Sequence, residues 1–198
     1  MRVTVFDYGA GNLHSLVKAI AGFGIDPVVE ADPVAATDTD LLVLPGVGAF
    51  GPAAARLAPG RDAIRSALLG GLPCLGICLG LQLLFDGSDE GPGLGLGVVP
   101  GRVTRIAAER LPQIGWNTIE DATDPAVAAA GIRYGYYANT FVGRAADPGS
   151  VTSWSRYEGD RFPATVRVAR TLGVQFHPEK SSSPGLALIR AFLAEVAR

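Results

Sequence analysis

Apolar and polar residues follow one regime in the first half of this chain and another in the second. In the first half, short unbroken apolar runs alternate with stretches of helical spacing. Residues 2–8 (RVTVFDY) read as a strand. Leu13, Leu16, Val17 and Ile20 then recur at helical spacing, and the helix they predict ends at Gly22 or Gly24. PVVE gives a short strand, and DLLVLPG (40–46) is continuously apolar, the mark of a strand buried on both faces. A helix is expected over 52–69, a strand over 74–77 and another helix from Leu79. Strand and helix alternating in this way predict a parallel, doubly wound sheet.

The second half changes period. GVVPGRVTRI, IGWNTIE, IRYGYYANTFV, SVTSWSRYEGD, FPATVRVART and TLGVQFH read as strands joined by short turns, with one short helix expected over 125–130. This half is expected to be antiparallel and to extend or flank the parallel sheet. A final helix begins with Ser183 as its cap and Pro184 at its first position, and Leu186, Ile189, Leu193 and Val196 form its buried stripe. The fold class is therefore α/β: one domain over 1–198, with a mixed, largely parallel central sheet flanked by helices and antiparallel strands in the second half.

Residues 66–85 carry no charge, and a spanning helix needs about 20 apolar residues. Gly70, Gly71, Pro73, Gly76, Gly80 and Gln82 interrupt that run. A helix end, a turn, a strand and a second helix account for it better than a membrane span. The formal net charge is −2 and no basic run is present, which argues against nucleic acid as the main partner. The opening MRVTVFDYG is not a secretory signal, so a reducing cytoplasm is expected and a disulfide between Cys74 and Cys78 is not. Those two cysteines are spaced C-x-x-x-C and the chain has only two histidines to complete a set, which makes a zinc site weak.

The chemistry concentrates in two stretches. GICLG (76–80) places Cys78 between two glycines where an apolar strand meets a helix. The same pattern with serine is the nucleophile elbow, a sharp turn that lifts the side chain above a sheet. A thiol at a helix start is favoured as thiolate, and backbone N–H groups such as that of Leu79 can face a developing oxyanion. Taken alone, Cys78 fits a buried core thiol equally well. The second stretch is VQFHPEKSSS, in which Pro178 ends a strand and sets His177 and Glu179 two residues apart. That pair gives an imidazole and a carboxylate to orient it, at the sheet edge where ligands of open α/β sheets bind. His14, the other histidine, has no acid at a useful spacing. PGVG (45–48) offers backbone N–H groups beside the elbow, whereas DYGAGN and GPGLGLG are weak imitations of a dinucleotide fingerprint.

These motifs, with DYGAGNLHS, LPGVGAF, IGWN and GVQFHPEKSS in order along nearly the whole chain, resemble the class I (triad) glutamine amidotransferases, and among them the branch that serves histidine biosynthesis. The resemblance implies Cys78 as nucleophile, His177 as base and Glu179 as the acid that orients it, a triad that needs no metal and no cofactor. It implies an oxyanion hole from the N–H groups of Val47 and Leu79. It places Gly48, Gln82, Glu90, Thr140 and Phe141 on L-glutamine, and Asn12, Trp116, Asn117 and Lys180 against a partner. That partner is a (β/α)8-barrel synthase subunit, which joins ammonia to a phosphoribulosyl-formimino carboxamide nucleotide. Its products are imidazole glycerol phosphate and aminoimidazole carboxamide ribotide. The resemblance also implies that the glutaminase subunit is nearly inactive until its partner binds nucleotide. Where the family has His-Ser/Thr-Tyr, this chain has Asn139-Thr140-Phe141: the threonine fits, but the histidine side chain and the tyrosine hydroxyl are gone, which leaves contacts there to the backbone. A glutaminase for another synthase, such as one making pyridoxal phosphate, a non-catalytic interaction subunit and a nucleotide-binding module remain as other readings.

Overall fold

The computed structural model describes residues 1–11 and 13–198; the expected partner contact of Asn12 lies outside them. The first strand, β1 (Val3–Phe6), leads into α1 (His14–Ala21), β2 (Val28–Glu30) and β3 (Leu41–Leu44). Next come α2 (Phe50–Leu57) and α3 (Arg61–Leu69), then β4 (Cys74–Ile77), α4 (Leu79–Leu83) and β5 (Gly87–Ser88). The second half holds β6 (Gly101–Arg105), β7 (Gln113–Thr118), α5 (Pro125–Ala130), β8 (Tyr134–Asn139) and β9 (Phe141–Ala145). The chain closes with β10 (Val151–Tyr157), β11 (Asp160–Val168), β12 (Thr171–Val174) and α6 (Ser182–Val196).

The central sheet runs β10-β11-β12-β4-β3-β1-β2. From β12 to β2 every pairing is parallel, and β10 and β11 add an antiparallel edge. Alternate residues of one strand enter opposite cores: Leu41 and Val43 pack on one face, Leu42 and Leu44 on the other. The expected α/β class with a largely parallel sheet is therefore what forms. The antiparallel half both extends the sheet and flanks it, because β5-β6-β9 and β7-β8 make two small sheets beside it. No helix among the described residues is long and apolar enough to cross a membrane.

Three expectations about elements need correction. The helix over 52–69 is two helices, α2 and α3, split by a 3-10 turn at Ala58–Gly60. Pro59 has no N–H to continue a helix, and Gly60 lies so close to Pro33 that a Cβ there would sit 2.8 Å from the proline's Cβ. IRYGYYANTFV is not one strand: the chain turns at Thr140, so β8 pairs with β7 and β9 with β6. The last helix starts at Ser182, and Ser183 does not cap it. Its buried stripe is Leu188, Ile189, Phe192 and Leu193, while Leu186 is 37% exposed. Close contact of Gly185 with the Pro178 carbonyl accompanies this rotation of the face.

Candidate active site

The end of β4 explains the glycine bracket around Cys78. Cys78 takes φ 47° and ψ −101°, a strained conformation that costs about 1–3 kcal/mol. The turn is so tight that a Cβ on Gly76 would sit 2.9 Å from the carbonyl carbon of Gly80. A Cβ on Gly80 would sit 1.9 Å from the Leu44 carbonyl oxygen. Both glycines are therefore needed for α4 to fold back onto β3 and β4. The turn is fixed on both sides: the Cys78 N–H donates to the Val174 carbonyl at 2.7 Å, and the Gln82 N–H donates to the Cys78 carbonyl at 3.1 Å. With only five residues, α4 offers the thiol its first amides more than a long dipole. Cys74 sits fully buried in mid-strand, and burial pushes its thiol pKa up, as suits an inert core residue.

Strand register brings the second stretch to the first. β12 pairs with β4 so that Val174 lies opposite Ile77, and the next residues of both chains leave the sheet side by side. The His177 N–H donates to the Tyr136 carbonyl at 2.8 Å. Ser181 clamps the same turn, its hydroxyl accepting from the Tyr136 N–H at 2.9 Å and donating to the His177 carbonyl at 2.6 Å. His177 Nδ1 lies 2.8 Å from Glu179 Oε1 and donates its proton to that carboxylate, while the other side of the ring meets the Cys78 sulfur. Gly46 fits between Cys78 and His177, for a Cβ there would be 2.8 Å from His177 Cε1 and 2.9 Å from Cys78 Cβ.

Burial opposes charge on His177, but the Cys78 sulfur and the Glu179 carboxylate outweigh it and push its pKa up to about 10. The sign of the linkage follows. A raised imidazolium adds stability that is fully present below its unfolded pKa of about 6.5 and is lost as pH rises through about 10. Unfolding free energy is thus expected to fall between those two pH values. Glu179→Gln removes one source of the shift, so denaturant titrations at pH 7 and pH 9.5 should show a smaller drop in that variant. An equal drop in both proteins would remove Glu179 from this role.

Cys78 opens into a largely polar cavity of about 210 Å³. Gly48, Leu79, Gln82, Glu90, Thr140 and Phe141 line it, so every residue expected on the substrate is present. A larger groove of about 460 Å³ beside α2 is lined by neither cysteine nor histidine, whereas Cys78 lines the smaller cavity. Gln82 Nε2 donates to the Phe141 carbonyl at 2.8 Å, and buried Asn139 Nδ2 donates to the same oxygen at 3.1 Å. The Glu90 carboxylate accepts the Phe50 N–H at 3.0 Å and so caps α2 from 40 residues away. Val47 is half-buried and packs on Gly11, where a Cβ would lie 2.4 Å from the valine's Cβ. That contact accounts for a glycine in DYGAGN without any nucleotide.

The expected partner residues divide. Trp116 is 55% exposed, edge-on to Tyr136, and Lys180 is exposed. Strand alternation turns Asn117 to the other face of β7, where its amide donates to the Arg156 carbonyl at 3.0 Å. Sequence reading missed Gln175 and Ser181, and had Gly46 only as part of the PGVG turn. Gln175 is fully buried, and its Nε2 lies 3.6 Å from Cys78 Sγ. The signal for Ser181 was its place just after H-P-E-K; nothing local marked Gln175.

The family model for glutamine amidotransferase class I matches residues 4–196. The chain belongs to the class I glutamine amidotransferases. It is 43% identical to a Thermus thermophilus protein named imidazole glycerol phosphate synthase subunit HisH, over 96% of this chain and 95% of that one. A Pyrococcus furiosus protein of the same name is 39% identical over 96% of this chain and 97% of its own length. Among solved structures, one titled as a glutamine amidotransferase covers all of both chains with TM-score 0.78 at 22% identity. The structure titled PurLQS from Thermotoga maritima aligns with TM-score 0.71 at 20% identity, covering 98% of each chain. At those identities the two structures support the fold. As a class I glutamine amidotransferase the chain is an enzyme, and the elbow of Cys78 beside the His177–Glu179 pair is its candidate chemistry.

Proposed function

We propose that this chain is the glutaminase subunit of an imidazole glycerol phosphate synthase, with Cys78, His177 and Glu179 as its triad. One observation carries the reading: an elbow cysteine opens into a polar cavity and meets a histidine whose other nitrogen is held by a carboxylate at 2.8 Å. The Cys78 thiolate attacks the side-chain amide carbon of L-glutamine. Backbone N–H groups of Val47 and Leu79 meet the oxyanion. The C–N bond breaks as the His177 imidazolium gives its proton to the leaving nitrogen, so ammonia departs and a γ-glutamyl thioester remains. His177 then takes a proton from water, which attacks the thioester. Glutamate leaves, and thiolate and imidazolium are restored. No step needs a metal or an organic cofactor.

Ammonia released into water is protonated and lost as a nucleophile. Direct transfer to a (β/α)8-barrel subunit avoids that. The outward face of β7 and β8, with exposed Ile114, Trp116 and Tyr134 and nearby Lys180, supports such a docking side. The free thiols of Cys74 and Cys78 suit a cytoplasmic enzyme. The test is glutamate release from glutamine by the chain alone, with the barrel subunit, and with the barrel subunit and its nucleotide. Turnover that rises at least about tenfold with partner and nucleotide is expected, within the usual size of coupling between sites. Equal turnover in all three mixtures would remove the partner from the reading.

A further inference from the structure

β12 does not end its influence at Val174. Gln175 continues beside Cys78 with no exposed surface, its N–H on the Ala164 carbonyl at 2.8 Å. A primary amide buried this deeply must place its hydrogens on protein acceptors. Its Nε2 finds the Cys78 sulfur at 3.6 Å. Its Oε1 accepts from Gln82 Nε2 at 3.4 Å, and Gln82 Nε2 also donates to the Phe141 carbonyl at 2.8 Å. Amide orientation is often ambiguous, but here the direction of donation is fixed at one end. A main-chain carbonyl can only accept, so Gln82 must turn its NH2 toward Phe141 and Gln175. Gln175 in turn must offer oxygen to Gln82 and NH2 to the sulfur.

A neutral thiol is a weak acceptor, whereas a thiolate carries a full charge and forms a stronger bond with the same donor. A donor fixed on this sulfur therefore favours the thiolate over the thiol. We propose that Gln175 is a second hydrogen-bond donor to the Cys78 thiolate, beside His177, and that Gln82 and the Phe141 carbonyl set its orientation. The inference rests on the reading of Cys78 as nucleophile. It gives Gln82 two tasks, lining the glutamine cavity and orienting the amide behind the nucleophile.

The test is iodoacetamide alkylation of Cys78 in the full chain across pH, read at that residue by mass spectrometry. Other titratable groups near the sulfur are His177 with Glu179 behind it, Tyr137 on β8 and Glu90 across the cavity, and all stay in place. Gln175→Met keeps the volume and removes the donor. The pH of half-maximal alkylation is expected to rise by about one unit or more, the size of a hydrogen bond to a charged group. Gln82→Met should move it in the same direction by less. A purely structural role for Gln175 would lower the melting temperature and leave this midpoint in place, which would overturn the inference. If Gln175→Met does not fold, Gln82→Met decides: an upward shift supports the inference, and no shift overturns it. A wild-type Cys78 that resists alkylation at every pH would instead bring down the reading of Cys78 as nucleophile.

Discussion

Alanine at position 78 should reduce glutamate release in the presence of partner and nucleotide by about 10⁴-fold or more. That is the size of loss seen when a covalent nucleophile is removed from a set of groups acting together. The substitution leaves the backbone strain at φ 47° as it was, since alanine meets the same restriction as cysteine. It removes one buried sulfur in a residue only 6% exposed and one source of the raised His177 pKa, so stability at neutral pH should fall by about 1–3 kcal/mol. Partner binding should persist, because the thiol lies in the cavity and Trp116 and Lys180 lie outside it. The decisive comparison is turnover against partner affinity in one preparation. Turnover within about tenfold of wild type would return Cys78 to the role of a core thiol. Serine should not rescue the loss, since a neutral hydroxyl is a far weaker nucleophile than a thiolate at neutral pH.

Gly80→Ala should be the most damaging single methyl in the protein's first half. The added carbon would sit 1.9 Å from the Leu44 carbonyl oxygen and 2.6 Å from its carbon, and both belong to backbone in the middle of the sheet. No rotamer relieves a main-chain clash. Either α4 lifts from β3 or the elbow opens, and both also displace Cys78. A loss of at least about 3 kcal/mol is expected, against about 5–15 kcal/mol for the whole stability of an ordinary domain. Chemical denaturation measures it where the variant is soluble, and soluble yield does where it is not. Gly71→Ala is the control. Gly71 has φ +102° but nothing within 4 Å of an added Cβ, so it should lose only about 1 kcal/mol from backbone strain. Similar losses at both positions would mean that conformation rather than close approach sets the requirement at the elbow.

The contrast between these glycines shows what the sequence makes legible. Local patterns were readable: the unbroken run of β3, the glycine bracket, and histidine and carboxylate two residues apart in H-P-E. Each is a rule about neighbours along the chain, and each took its expected place. The helix over 52–69 was misread because Pro59–Gly60 looks like a tolerable interruption until Pro33 closes against it. The turn at Thr140 was hidden because both sides of it favour strand, and only pairing with β7 and β6 separates them. Gln175 was the deepest omission. Between Val174 and Phe176 it reads as the polar position of an alternating strand, with its side chain in water. Its meaning appears only when β12 lies against β4, and no spacing rule connects residues 97 positions apart. Glu90 was expected at the cavity, but its hold on the Phe50 amide depends on a loop meeting a helix from elsewhere in the chain.

The position of β12 sets an order in time. It is the last strand of the chain, yet it lies between β11 and β4, inside the sheet. A ribosome makes the N-terminal part first, so the nucleophile emerges long before its base. Until Thr171–Val174 arrives, β4 has an unpaired edge, and Cys78 N–H lacks the Val174 carbonyl it donates to in the finished protein. The nascent chain thus carries Cys78 without His177 or Gln175 beside it. One late insertion closes the sheet and completes the proposed triad together, so on that proposal an incompletely folded subunit has little means of hydrolysing glutamine.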